Sequence, residues 1–159
     1  MNNRAIYAGS FDPITNGHVD IIERASELFD LIYVSVLDNP DKQSLFSVQE
    51  RIELIQELYQ GNPKIKVQGF SGLLVHYAES IDTYTLLRGL RAVSDFDYEF
   101  QLSHTNRLLN QKIETVFLMT STQNSYLSSS IVKQLSRLQA DISRLVPASV
   151  AKRLKGRFS

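Results

Sequence analysis

Arg4-Ala5-Ile6-Tyr7-Ala8-Gly9-Ser10-Phe11-Asp12-Pro13-Ile14-Thr15-Asn16-Gly17-His18 is the stretch on which the reading of this chain turns. Residues 4–8 predict a short buried strand that Gly9 ends, and Asp12-Pro13 punctuates the turn beyond it. From Asn16 to Phe29 the apolar residues Ile21, Ile22, Ala25, Leu28 and Phe29 recur at helical spacing, with Asp20, Glu23 and Glu27 on the other side. Strand, loop and amphipathic helix in that order begin a βα unit.

The rest of the chain continues the alternation. Residues 31–37 form a second apolar strand closed by Asp38-Asn39-Pro40-Asp41. Ser47 and Glu50 make a capping-box signature for a helix whose stripe is Val48, Ile52, Ile55, Leu58 and Tyr59. Gly61-Asn62-Pro63 stops that helix, and residues 65–70 predict strand three. Residues 73–81, 95–109, 128–138 and 147–155 read as helices, and residues 83–87 and 115–119 as strands four and five. Pro147 suits a first helical position. Alternating strands and helices require crossovers, hence a mostly parallel sheet covered on both faces. The expectation is a single Rossmann-like, doubly wound α/β domain over residues 1–159, with a five-stranded parallel sheet and helices on both faces.

Composition agrees. A chain of 159 residues, 43% hydrophobic and 21% charged, is ordinary globular material that buries roughly 70% of its unfolded surface. No apolar run spans a bilayer, and Met1-Asn2-Asn3-Arg4 is followed by no export signal, so the expectation is a soluble cytoplasmic protein. The absence of Cys removes disulfides, thiolate nucleophiles and cysteine metal sites. The 17 basic and 17 acidic residues divide unevenly: residues 1–80 hold 6 Lys/Arg and 11 Asp/Glu, residues 81–159 the reverse, 11 and 6. A basic second half can hold an anion, although solvated helix faces give the same imbalance. The lack of a long cationic run argues against generic nucleic-acid binding.

Ligands of such sheets sit beyond the carboxyl ends of the strands, where strand order reverses. That directs attention to residues 9–18, 38–46, 70–74, 88–95 and 120–130. No G-x-G-x-x-G follows the first strand and no Walker-type P-loop occurs. Gly9 admits close approach to the backbone, Ser10 adds a hydroxyl, and Gly17-His18 opens a helix whose first amides attract phosphate. Each residue alone is ordinary strand–helix punctuation; together they describe an anion site. Arg88 and Arg91, three apart across Gly89, offer two guanidinium forks suited to phosphate, or else pair with Asp95 and Asp97. Ser128, Ser129 and Ser130 precede a helix that needs only one of them as a cap. Lys42 alone reads as a solvated loop lysine, Leu73 and Leu74 as core, and Glu99 as a helix-surface acid. His76 and His104 have no spacing for metal ligation and read as structural.

Thr15-Asn16-Gly17-His18 after Gly9-Ser10-Phe11-Asp12-Pro13 resembles the [HT]-x-G-H nucleotidyltransferase superfamily. Together with Lys42, the string Leu87 to Glu99 and the string Ser128 to Lys133, it is most similar to the bacterial phosphopantetheine adenylyltransferase family, across nearly the whole chain. Three departures are small: Thr15 where much of the superfamily has histidine, Ser10 where threonine is frequent, and Leu127 where isoleucine is usual.

The resemblance implies adenylyl transfer from ATP to 4′-phosphopantetheine, giving dephospho-coenzyme A and pyrophosphate, without a covalent enzyme intermediate. It implies catalytic roles for Ser10, His18, Lys42, Arg88 and Arg91. It places ATP against Gly9, Ser10, Phe11, His18, Gly89, Leu90, Arg91, Glu99 and Asn124, Ser125, Tyr126, Leu127, Ser128, Ser129 and Ser130. Phosphopantetheine would meet Ser10, Lys42, Leu73, Leu74 and Arg88. Mg2+ is expected on the triphosphate without dedicated protein ligands. A homo-oligomer, hexameric in the family, and coenzyme A as a feedback ligand complete the expectations.

Overall fold

The computed structural model describes residues 3–158. Its elements run β1 (Arg4–Gly9), α1 (Asn16–Leu28), β2 (Leu31–Asp38), α2 (Val48–Leu58), β3 (Ile65–Ser71), α3 (Leu74–Ser80), β4 (Thr85–Leu90), α4 (Val93–Leu109), β5 (Glu114–Met119), α5 (Ser129–Arg137) and α6 (Ala148–Phe158). The five strands form one sheet in the order β3-β2-β1-β4-β5, with every pairing parallel. The order therefore reverses between β1 and β4, which touch through Ile6–Leu86 and Tyr7–Leu87.

Alternation along β1 divides the core. Ala5 and Tyr7 join a cluster containing Ile21 and Ile22 of α1, Leu54 and Ile55 of α2, Val132 of α5, and Val150 and Leu154 of α6. Ile6 and Ala8 face the opposite layer, with Ala78 of α3, Leu86 and Ile113. Each fully buried Ile or Leu contributes about 1.5–3 kcal/mol, so neither face can be peeled away cheaply. Helix α4 differs: it leans on α3, β4 and β5 yet buries only Asn106 among its 17 residues. No described helix is long and apolar enough to cross a membrane.

The doubly wound expectation holds, with boundary corrections. Strand β4 spans Thr85–Leu90, not 83–87, because the ladder to β5 continues through Arg88–Phe117, Gly89–Leu118 and Leu90–Met119. Arg88 is thus a strand residue rather than a loop residue. Helix α4 begins at Val93, ahead of the expected Asp95. Pro147 stands just before α6, its carbonyl accepting the Ala151 N–H at 3.0 Å, and a 3-10 turn at Thr122–Asn124 adds an element that the sequence pattern does not announce. The capping box of Ser47 and Glu50 is present as read. Met1, Asn2 and Ser159 lie outside the described residues.

Candidate active site at the switch point

A cavity of about 480 Å³ opens over the carboxyl ends of β1 and β4, where the reversal of strand order leaves a crevice. Of the expected residues, Gly9, Ser10, Phe11, His18, Lys42, Arg88, Gly89, Arg91, Glu99 and Leu127 through Ser130 line it. The others stand elsewhere. Leu90 is buried, Leu73 is 53% exposed and Tyr126 is 86% exposed. Leu74 packs against the second core layer. Asn124 is buried and packs beneath Gly17, where an added Cβ would lie 3.7 Å from its own. Ser125 donates its hydroxyl to the Thr122 carbonyl at 2.8 Å.

Two glycines on the cavity wall allow close packing beneath it. A Cβ on Gly9 would come within 3.3 Å of the Phe11 ring, which the left-handed Phe11 backbone (φ 47°) folds back over the strand end. A Cβ on Gly89 would meet the fully buried Ile21 side chain at 3.1 Å.

His18 is fixed by its own helix start. Thr15 donates its backbone N–H to His18 Nδ1 at 3.0 Å, and the His18 N–H returns to Thr15 Oγ1 at 3.4 Å. This is a capping box with histidine in place of the usual glutamate. Because Nδ1 accepts a hydrogen bond, the proton resides on Nε2. Phe11 packs edge-on against the ring at 5.1 Å. Burial first, then the charges of Arg91 and Arg88, push the imidazole pKa down to about 4. His18 is a neutral donor facing the cavity.

Arg88 is gripped rather than solvated. Its Nε and Nη2 donate to the two Glu99 carboxylate oxygens, both at 2.7 Å, and Nη1 donates to the Ala8 carbonyl at 2.9 Å. Burial works against its charge, and the Glu99 pair more than offsets that. Glu99, read from sequence as an ATP contact or a surface acid, spends both oxygens on Arg88. Arg91 pairs with Asp95 at 3.2 Å and donates to the Leu127 carbonyl at 3.2 Å, tying the β4–α4 junction to the serine loop.

The three serines divide their work. Ser128 Oγ caps α5 by accepting the Ile131 N–H at 3.2 Å. Ser129 Oγ donates to the Pro13 carbonyl at 2.8 Å, joining the serine loop to the β1–α1 loop. Ser130, with the first amides of α5, faces the cavity. Lys42 is exposed and lines the same cavity from the β2–α2 loop.

Sequence patterns do not single out Asp12, Arg51 or Lys133. Arg51, only 3% exposed, donates Nη1 to the Ser10 carbonyl at 2.6 Å and the Leu37 carbonyl at 3.0 Å, and Nε to the Phe46 carbonyl at 3.1 Å. It clamps Ser10 to the β2–α2 loop. An arginine beside the apolar stripe of an amphipathic helix is the one available signal. Asp12 and Lys133 pair on the cavity wall at 2.9 Å, 121 residues apart, a separation no local pattern announces. His104 packs edge-on against Phe100 at 4.4 Å, and neither it nor His76 lines the cavity. Among the described residues no three His, Cys, Asp or Glu side chains gather as metal ligands would.

A 3-2-1-4-5 parallel sheet with a cationic crevice at its switch point, and a histidine held at the opening of the first helix, defines an α/β protein built to handle nucleotides. The chain belongs to the cytidylyltransferase-like family, whose model matches residues 6–135, and within it to the phosphopantetheine adenylyltransferases, a group of nucleotidyltransferases. It is 51% identical over 154 residues to the phosphopantetheine adenylyltransferase of Caldanaerobacter subterraneus subsp. tengcongensis, covering 97% of this chain and 96% of the relative. It is 54% identical over 147 residues to that of a Nostoc species, covering 92% and 77% respectively. The fold also matches a solved nicotinic acid mononucleotide adenylyltransferase of Plasmodium falciparum complexed with NaAD, with a TM-score of 0.71 at 18% identity, over 98% of this chain and 96% of that one.

Proposed function

We propose that this chain transfers the adenylyl group of ATP to the phosphate of 4′-phosphopantetheine, giving dephospho-coenzyme A and pyrophosphate. The observation that carries the reading is convergence. A neutral, donor-poised His18, the cations Lys42, Arg88 and Arg91 and the amino end of α5 face one cavity of about 480 Å³, in a chain whose relatives bear that enzyme's name.

The chemistry follows from the charges. An oxygen of the acceptor phosphate forms a bond to the α-phosphorus, the bond from that phosphorus to the bridging oxygen breaks, and pyrophosphate leaves with the electron pair. The attacking group is already anionic, so no strong base is required. That suits a histidine whose Nδ1 already accepts the Thr15 N–H. His18 Nε2–H donates to the charge gathering on the α-phosphate, a dipole held in fixed orientation by the helix start. Ser10, its carbonyl clamped by Arg51, supports the same group. Lys42 and Arg88 orient the acceptor phosphate, and Glu99 holds the Arg88 fork in place. Arg91 and the amides of Ser129 and Ser130 receive the departing pyrophosphate at the α5 helix start.

Both carboxylates on the cavity wall are committed, Asp12 to Lys133 and Glu99 to Arg88. The residues therefore suit a magnesium ion that arrives on the triphosphate as part of the substrate and keeps most of its waters. We also propose self-association through α4 and the open edge of β5, where Val93 is 87% and Leu108 85% exposed; the family resemblance gives a hexamer.

The deciding experiment is pyrophosphate release with ATP, Mg2+ and 4′-phosphopantetheine, beside wells with nicotinamide mononucleotide and with no acceptor. Release only with phosphopantetheine, with dephospho-coenzyme A seen by mass, supports the reading. Release with the other acceptor alone overturns the acceptor assignment, and release in no well overturns the transfer.

A further inference from the structure

Three segments of the cavity wall meet at one carboxylate. Asp12, 5% exposed, accepts the Leu45 N–H at 2.8 Å on Oδ2 and the Phe46 N–H at 2.9 Å on Oδ1. Both amides belong to the loop between β2 and α2 that carries Lys42. Its third partner is Lys133 Nζ on α5, which reaches Oδ2 at 2.9 Å. The remaining nearby cation, Arg51, gives its hydrogen bonds to the carbonyls of Ser10, Leu37, Phe46 and Ser47 instead.

A buried carboxylate beside a triphosphate site is costly unless a cation compensates it. Burial pushes the Asp12 carboxyl upward, and the Lys133 hydrogen bond with the two amides outweighs that and holds it below the ordinary range. An ionised acid there does what a neutral one cannot, taking two backbone donors on two oxygens at once. Lys133 is only 22% exposed along its side chain and points at Asp12, although it sits one turn into the helix whose first residues face the cavity.

We infer that Lys133 is a positioning residue that acts through Asp12, and that this ion pair fastens the Lys42 loop to the nucleotide-side helix α5 so that acceptor and nucleotide are held in one frame. The inference rests on the adenylyl-transfer reading for its consequence in catalysis, but the brace itself can be observed without substrate.

Amide exchange at Leu45 and Phe46, followed by NMR in the full chain, reads the brace directly. Lys133→Met is expected to speed exchange at these two amides about tenfold, the effect of weakening one charge-assisted hydrogen bond, while β1 amides keep their protection. Lys133→Arg keeps the charge and should stay near the parent protein. In steady-state assays Lys133→Met should raise KM for 4′-phosphopantetheine about tenfold and KM for ATP less than threefold.

The double-mutant cycle with Asp12→Asn separates acting through Asp12 from touching phosphate. A neutral carboxamide at position 12 needs no counter-cation, so adding Lys133→Met to Asp12→Asn should change exchange and acceptor KM by less than about twofold. Equal costs of Lys133→Met in both backgrounds, with ATP affected as much as the acceptor, would assign Lys133 to the nucleotide phosphates and overturn the inference. Unchanged exchange at Leu45 and Phe46 in Lys133→Met would overturn it too. A parent protein that makes no dephospho-coenzyme A would defeat the proposed reaction while leaving the exchange measurement to judge the brace.

Discussion

Thr15 gives its backbone N–H to Nδ1 of His18 at 3.0 Å and takes back the His18 N–H on its own hydroxyl at 3.4 Å, so one capping box sets both the first turn of α1 and the tautomer of the imidazole. The imidazole that lines the cavity is therefore oriented by backbone geometry that forms when the helix forms. Its ring cannot turn to present Nδ1 to the cavity without giving up the Thr15 N–H half of that capping box.

That geometry fixes a charge state. With a folded pKa of about 4, against about 6.5 for a free histidine, the native protein holds fewer protons on His18 than the unfolded chain across the interval between those values. Stability from this group is full above about pH 6.5, falls as pH drops through the interval and levels off below about 4. The ring-proton NMR signals of His18 should show no titration between about pH 5.5 and 8, and His18→Gln should flatten this part of the stability-versus-pH curve. An imidazole titrating near 6.5 in the folded protein, the value of a free histidine, would refute the assignment.

Removing the imidazole should cost rate rather than fold. His18→Ala takes away the transition-state donor proposed above, and kcat should fall about 10²–10³-fold with KM for ATP changed little. The variant also loses half of a capping box, about 1 kcal/mol of stability, so thermal melting must accompany the kinetics. A fall of less than about threefold in a folded protein would remove His18 from the chemistry.

Much of this is legible in the sequence, and the exceptions have a shared cause. The strand–helix alternation, the Ser47–Glu50 box and the location of the crevice follow from local patterns of apolar and capping residues. The expected end of β4 falls short, at Leu87, because Arg88-Gly89 reads locally as the start of a loop. Glu99, eleven residues on, and the Ala8 carbonyl satisfy the guanidinium inside the sheet, and no local rule anticipates a partner on another element. Asp12–Lys133 and Arg51–Ser10 escape sequence reading for the same reason. The serine string is legible as a cavity-lining helix start but not in its division, since only packing commits Ser129 to Pro13.

The Arg88–Glu99 pair is the next quantity to measure. Their side chains are 23% and 12% exposed and 2.7 Å apart, so the guanidinium depends on that carboxylate. Glu99→Gln leaves one good acceptor where two charged ones stood, and should lower stability by about 2 kcal/mol, seen as roughly 4–8 °C in Tm for a chain of this size. KM for the acceptor should rise more than KM for ATP. An unchanged Tm together with a selective loss of ATP affinity would mean that Glu99 serves the nucleotide directly.

Glu99 also connects the cavity to the outer surface of α4. The same helix carries Phe96 and Phe100, ring centroids 5.5 Å apart and side chains 42% and 47% exposed, with Leu108 85% exposed beyond them. Beside it β5 is an edge strand, with Met119 55% exposed. An apolar face of this kind in water calls for a cover, and a second copy supplies an equally apolar one. Light scattering after gel filtration should then give a mass that is a multiple of 18.1 kDa. Phe100→Asp should shift it toward a single chain with the α/β fold retained by circular dichroism. Because α4 positions Glu99, the dissociated variant should also bind the acceptor more weakly. A parent protein that runs as one chain at micromolar concentration would refute the assembly. A dissociated variant with unaltered acceptor binding would uncouple α4 packing from Arg88.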